Sequence, residues 1–390
     1  MKIKNVVSRK ILNSNTNYTI EVKLVTENGL FRGSSPAGES TSEYEVKQFK
    51  EDIDQIVSKF NTFLKGFSGR SISSLDEIFD IEKNIPEEFI GGASLSLSYA
   101  LISGLAASKG LEPFQLFSSK QRSKVLPICK MIGGGMHASR ADMSIQEILA
   151  VTISDSVQES IDSTIKVYNE VKRLLSDKTI SFIGGVDPEG GLISGLDDYE
   201  SLSVVSKAVN KIMKETGEDI RLGIDAAAST FFKDERYTYK KPIYGKLVLS
   251  KEEQIDLMVK LAEEFNLYYI EDPVDENFQE GYKEVMRKTK ALVVGDDLTA
   301  TKTERLEKAK GDINATLIKP NQVGLMGEVV RYSALSDKYK LTKVLSHRSE
   351  ETNSSMISDL AVGLGAKYIK VGINRGERIE KLNRLSEITG

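Results

Sequence analysis

Ile220-Arg221-Leu222-Gly223-Ile224-Asp225, Leu267-Tyr268-Tyr269-Ile270-Glu271 and Ala291-Leu292-Val293-Val294-Gly295-Asp296 are three short apolar runs, each closed by an acidic residue. Each reads as a buried strand, and amphipathic helical stretches lie between such runs, the pattern of βα units on a parallel sheet. The series continues: Ala315-Thr316-Leu317-Ile318 ends in Lys319, Val344-Leu345-Ser346 runs into His347-Arg348-Ser349, and Tyr368-Ile369 ends in Lys370. From Glu271 onward these strand ends recur at intervals of 25, 23, 28 and 23 residues, each the length of one βα unit. There is room for about eight such units in residues 125 to 390, which predicts a closed (β/α)8-type barrel rather than an open sheet.

Barrel enzymes build their active sites at the C-terminal ends of the strands, so polar residues at those ends carry chemistry. Asp225, Glu271 and Asp296 would face one point, where their mutual repulsion calls for a cation. Hard carboxylate oxygens suit Mg²⁺. Lys319 stands one strand further on, with Arg348 and Lys370 nearby in barrel order. Neighbouring cations and partial burial are expected to lower its pKa and fit it to act as a base on a carbon acid. Gln146-Glu147 and Asp187-Pro188-Glu189-Gly190-Gly191 place acids on the opposite side, with Glu189 the candidate proton donor. The two histidines, His137 after Gly133-Gly134-Gly135 and His347 at a strand end, are expected at the same mouth.

Residues 1–122 read as a smaller α+β domain ahead of a barrel domain at 123–390. Strands are expected at Thr19 to Val25 and Leu30 to Gly33, joined as a hairpin across Asn28-Gly29. A helix is expected over Glu43 to Phe63 from the spacing of Ile53, Ile56, Val57 and Phe60, and a buried helix within 91–108, which is rich in small residues. Further on, Ser250-Lys251-Glu252-Glu253 forms a capping box ahead of the strand at Leu267.

The chain has 390 residues, 40% of them hydrophobic and 28% charged, the balance of a folded globular protein. A net charge of -4 without basic clusters gives no reason to expect nucleic acid or an anionic membrane as partner. No apolar stretch has the ~20 residues of a membrane helix. The single cysteine, Cys129, and the lack of a targeting segment point to the cytoplasm. There is no dinucleotide fingerprint, P-loop or HExxH helix.

Taken together, Ser346-His347-Arg348-Ser349-Glu350-Glu351-Thr352, Gly295-Asp296-Asp297-Leu298, Lys319-Pro320-Asn321-Gln322-Val323-Gly324, Ile270-Glu271-Asp272-Pro273, Gln146-Glu147 and Ile369-Lys370-Val371-Gly372 resemble, in order, the enolase (phosphopyruvate hydratase) family. The resemblance extends along nearly the whole chain. It implies a lyase that reversibly dehydrates 2-phospho-D-glycerate to phosphoenolpyruvate in glycolysis and gluconeogenesis, as a cytoplasmic homodimer or higher homo-oligomer. It implies two Mg²⁺ per site: the first on Asp225, Glu271 and Asp296, the second assembled with substrate and with Ser40 of a mobile loop near 36–43. By the same resemblance Lys319 is the base, Glu189 with Glu147 the proton donor, Arg348 and Ser349 the phosphate ligands, Gln146, Lys319 and Lys370 further substrate contacts, and His137 and His347 active-site histidines.

Several positions depart from the family pattern. Asn13-Ser14-Asn15-Thr16-Asn17-Tyr18 lacks an Asp and an Arg in a segment that contributes to the family's dimer contact. The loop reads Ala37-Gly38-Glu39-Ser40-Thr41-Ser42, with one glycine fewer. Gly133 replaces an Asn, Pro188 an Asp, and Glu350 a Gly, and Pro320 follows the base. Two alternatives stay open from the residues: another enzyme of the same superfamily acting on a different carboxylic acid, and a silent paralogue serving as a binding or scaffold protein.

Overall fold

The structure is a computed structural model that describes residues 1–39, 41–117, 124–180 and 182–390. It opens with an antiparallel sheet of β1 (Ile3–Leu12), β2 (Tyr18–Thr26) and β3 (Gly29–Ser34), in that spatial order. The β2–β3 hairpin is the expected one, with Thr26 paired to Gly29. β1 is an addition. Its lysines and arginine dilute the apolar signal, although Ile3 and Val6 reach the core.

Helices α1 (Ile53–Leu64), α2 (Leu75–Glu82) and α3 (Gly92–Ser108) cover this sheet. α1 does not begin at Glu43 as expected. The Asp52 side chain accepts from the Asp54 amide and caps the helix there, and residues 43–52 form turns instead. α3 is the buried helix, lying on Ile20, Val22 and Leu24. Gly33 permits this approach, since a Cβ on it would lie 2.2 Å from the Ser96 carbonyl oxygen.

The barrel begins with β4 (Leu126–Gly133) and β5 (Glu147–Ile153), followed by α4 (Val157–Lys178), α5 (Asp198–Thr216) and β6 (Asp219–Asp225). A small antiparallel sheet of β7 (Phe232–Lys233), β8 (Arg236–Ile243) and β9 (Lys246–Leu249) intervenes, which the strand pattern had not suggested. Then follow α6 (Lys251–Glu264), β10 (Leu267–Glu271), α7 (Gln279–Lys288), β11 (Leu292–Gly295), α8 (Thr303–Ala309), β12 (Ala315–Ile318), α9 (Met326–Lys338), β13 (Thr342–Ser346), α10 (Met356–Gly363), β14 (Tyr368–Lys370) and α11 (Gly376–Thr389). Ser250 and Glu253 make the expected capping box on α6.

The eight barrel strands close in the order β10-β11-β12-β13-β14-β4-β5-β6. The closure is as expected, but one strand runs the other way. β5 is antiparallel to both β4 and β6, because β4 returns to it without an intervening helix. A fully buried apolar strand reads the same in either direction, so composition does not reveal this reversal. It has a consequence for the site: the first residue of β5, Glu147, pairs with the last residue of β6, Asp225, and so lies at the same barrel mouth.

Side chains such as Ile128, Leu149, Tyr269, Leu317 and Val344 fill the barrel interior. The helical layer and the barrel are joined by Glu82, whose carboxylate accepts from the Met326 and Gly327 amides at 2.8 and 2.7 Å and so caps α9 across the seam. Among the described residues no helix is long and apolar enough to cross a membrane.

Candidate active site

Every barrel strand contributes one titratable residue to this mouth or its wall. Lys130 lies in β4, Glu147 begins β5, Asp225 ends β6 and Glu271 ends β10; Asp296 follows β11, Lys319 follows β12, His347 follows β13 and Lys370 ends β14. All are buried except Lys319, which is partly exposed. In barrel order Lys319 and Glu147 stand on opposite sides.

On the acidic side Glu271 is in register with Asp225 on one neighbouring strand and Val294 on the other. Lys370 Nζ lies 2.8 Å from Asp225 Oδ2, 2.8 and 2.9 Å from the Glu271 oxygens, and 3.4 Å from Glu147 Oε1. Lys319 donates to Asp296, whose other oxygen accepts from Gln322 Nε2 at 2.9 Å. Burial, then the charges of Asp225 and Asp296, push Glu271 well above the usual carboxylate range. The direction expected for Lys319 is reversed: burial first, then Arg348 and Lys370, oppose its charge, but the carboxylates around it, Asp296 and then Glu271, hold its pKa raised. Contact with a carboxylate, which strand order could not show, decides the sign.

Across the barrel Glu147 and Glu189 share an enclosed space with both histidines. Burial and the charge of Glu189 raise Glu147 to about 8, so it keeps a proton at neutral pH. Burial also works against the charge on Glu189, yet His137, Lys130, His347 and Lys370 hold its pKa well below the ordinary range. One carboxyl of the pair therefore carries the proton and the other the charge. Burial lowers His137 to about 4 and His347 well below its ordinary value, so both rings are neutral.

The third side is built around Arg348 and Ser349. Arg348 Nη1 donates to Glu45 Oε2 at 2.8 Å and to Asn321 at 3.1 Å, and the Ser349 hydroxyl accepts from the Glu39 amide at 2.7 Å. Fully buried Arg378 anchors the segment by donating to the Arg348 and Ser349 carbonyls at 2.8 and 2.9 Å. Ala37 and Glu350 pair through their backbones, so residues 37–39 lie directly on Arg348-Ser349. Gly38 makes this possible, because a Cβ there would fall 1.7 Å from Arg348 Nη2. Ser40 lies outside the described residues.

The polar cavity at the centre, about 20 Å³, is lined by His137, Gln146, Glu147, Glu189, Asp225, Lys319, His347, Arg348, Ser349 and Lys370. Ten of the sequence-predicted residues thus meet in one place, with Glu271 and Asp296 bonded to its lysines. A larger cleft of about 830 Å³ beside β1, α10 and α11 contains none of them.

The family model for the enolase C-terminal TIM barrel domain matches residues 123–390. Curated relatives match over nearly their whole length. The enolase of Thermoplasma acidophilum is 32% identical over all of this chain and 98% of its own. That of Natronomonas pharaonis is 34% identical over 97% of each chain, and that of Sulfurisphaera tokodaii 34% identical over 99% of this chain and 95% of its own. The chain belongs to the enolase family.

Membership in the enolase family suggests a divalent metal, and the residues present fit one. The oxygens of Asp225, Glu271 and Asp296 come from three adjacent strands, and with Asp272 and Asp297 these buried acids outnumber Lys319 and Lys370. Burial and neighbouring acids also raise Asp297 well above its ordinary value, a charge imbalance that a hard cation would relieve. Two groups of possible ligand atoms gather within 4.8 Å among the described residues: Asp272 with Asp296 and Asp297, and His137 with Glu147 and Glu189. Asp272 has a structural task, accepting from the Asp296 and Asp297 amides at 3.1 and 2.9 Å and from Tyr282 at 2.8 Å. The second group already surrounds the Lys130 ammonium.

Several residues that shape the site have no role assigned from sequence: Lys130, Asp187, Glu45, Gln322, Asp272 and Arg378. Only Lys130 carried a usable signal, as a charge inside an otherwise apolar strand. The others act through partners distant in the chain.

Proposed function

We propose that this chain catalyses the Mg²⁺-dependent, reversible dehydration of 2-phospho-D-glycerate to phosphoenolpyruvate, as a cytoplasmic enzyme of glycolysis and gluconeogenesis. The observation that carries the reading is the division of one cavity into three sides: Lys319 among metal-suited carboxylates, the Glu147–Glu189 pair opposite, and Arg348-Ser349 between residues 37–39 and Arg378.

The Lys319 amine takes the proton from C2, and the electron pair left on carbon moves towards the substrate carboxylate. Lys370, already seated between Asp225 and Glu271, is placed to offset the charge that develops there. The C3 hydroxyl then departs as water, its proton drawn from the Glu147–Glu189 pair, which holds one proton at neutral pH. Arg348 and Ser349 hold the phosphate, and Gln146 orients the substrate. Mg²⁺ held by Asp225, Glu271 and Asp296 would supply positive charge that lowers the proton affinity of both the carbon acid and Lys319. Residues 37–39 on Arg348-Ser349 exclude water from the cavity.

Deuterium exchange at C2 of 2-phosphoglycerate in heavy water tests this assignment. The wild type with Mg²⁺ is expected to exchange C2, and Lys319→Ala to slow exchange by at least about 10²-fold, the lower range for a proton-transfer group. Absence of exchange from folded wild type would remove the assignment, and undiminished exchange by Lys319→Ala would remove Lys319 as the base.

A further inference from the structure

Lys130 has no part in the chemistry above, yet it is 1% exposed and projects from the wall of β4 into the acidic half of the site. Its Nζ lies 2.6 Å from Asp187 Oδ2, 3.1 Å from Glu189 Oε2 and 2.7 Å from His137 Nδ1. An ammonium group has three protons and no lone pair, so towards His137 and Glu189 it can only donate, while Asp187 offsets its charge. Asp187 is itself fixed, its other oxygen accepting from the Glu189 and Gly191 amides at 2.8 and 3.0 Å.

Two glycines make room for this pair. A Cβ on Gly133 would fall 1.8 Å from Asp187 Oδ2, and one on Gly191 would fall 2.9 Å from Lys130 Cγ.

At 2.7 Å from an obligate donor, His137 Nδ1 has to be the acceptor, because two facing N–H groups would clash. The ring is neutral, so its single proton sits on Nε2. We propose that Lys130, braced by Asp187, is a positioning residue: it holds His137 as the tautomer protonated at Nε2 and fixes the Glu189 carboxylate beside it. His137 then offers the cavity a hydrogen-bond donor and takes no part as a base. The bearing on catalysis rests on the function proposed above; the tautomer does not.

Nitrogen-15 NMR of histidine-labelled protein reads this directly, since the chain has only two histidines. His347→Asn assigns the signals. The wild type at pH 7 is expected to show His137 with Nδ1 unprotonated and Nε2 protonated; a proton on Nδ1 overturns the proposal. In Lys130→Met/Asp187→Asn, which leaves no unpaired buried charge at these two positions, His137 is expected to become a mixture of tautomers. Its kcat for phosphoenolpyruvate formation should fall roughly 10- to 100-fold, at or below the roughly 10²–10⁴ of a proton-transfer group itself, with KM little changed. An unchanged tautomer or unchanged kcat in this folded variant also overturns it. Failure of the functional assignment looks different: the expected tautomer in a wild type that makes no phosphoenolpyruvate.

Discussion

Asp198→Asn is expected to stabilise the protein increasingly as pH rises. Asp198 opens α5 and is buried, with Oδ1 accepting from the Ser144 and Ile145 amides at 2.9 and 2.8 Å while Oδ2 has no hydrogen-bond partner. Burial raises its pKa from 3.8 to about 7, against the pull of those two amides. A carboxyl with a raised pKa keeps its proton in the folded state while the unfolded chain has released it. Stability is therefore lost as pH climbs from about 3.8 to about 7. At ~1.4 kcal/mol per pH unit the full loss is ~4 kcal/mol, of which roughly 1.5 is already present at pH 5. Asparagine keeps the carbonyl acceptor and does not titrate, so the stability difference between variant and wild type should move in favour of asparagine by about 2.5 kcal/mol from pH 5 to pH 8. The chain has no tryptophan, so urea unfolding followed by far-UV circular dichroism, with chelator present, is the suitable assay. A difference that is the same at both pH values, or that moves in favour of aspartate, refutes the reasoning. The result also bears on the site, because the two amides lead directly into Gln146-Glu147.

Two further substitutions test other parts of the account. Glu82→Ala leaves the Met326 and Gly327 amides without their buried acceptor and should destabilise the protein by about 2–4 kcal/mol, seen as a lower urea midpoint; a change below about 0.5 kcal/mol would show that the seam does not depend on this cap. Glu271→Gln should weaken Mg²⁺ binding by more than about tenfold in calorimetry, with unchanged affinity removing Glu271 from the ligand set.

What sequence could reveal follows from how locally each feature is written. The βα rhythm from Leu267 to Lys370 is a local alternation of apolar strands and amphipathic helices, so barrel, strand ends and site residues could be read together. The reversal of β5 could not, because the buried run Ile148 to Val151 has no direction in its composition. The helix over 43–63 was overextended because apolar spacing carries no stop signal, whereas the Asp52 cap sets its start. The upward pull on the Lys319 pKa could not be read because barrel order gives neighbours but not contacts, and Lys319 donates to Asp296. Lys130 and Asp187 meet across 57 residues of chain, and only the fold shows that Gly133 clears the space between them.

The central claim, a metal-dependent dehydration carried by the strand-end residues, is tested most directly by following the absorbance of phosphoenolpyruvate after 2-phosphoglycerate is added to purified protein. The expected result is a rise that requires Mg²⁺, stops when chelator is added and returns when Mg²⁺ is restored. Folded protein that gives no Mg²⁺-dependent rise would contradict the account.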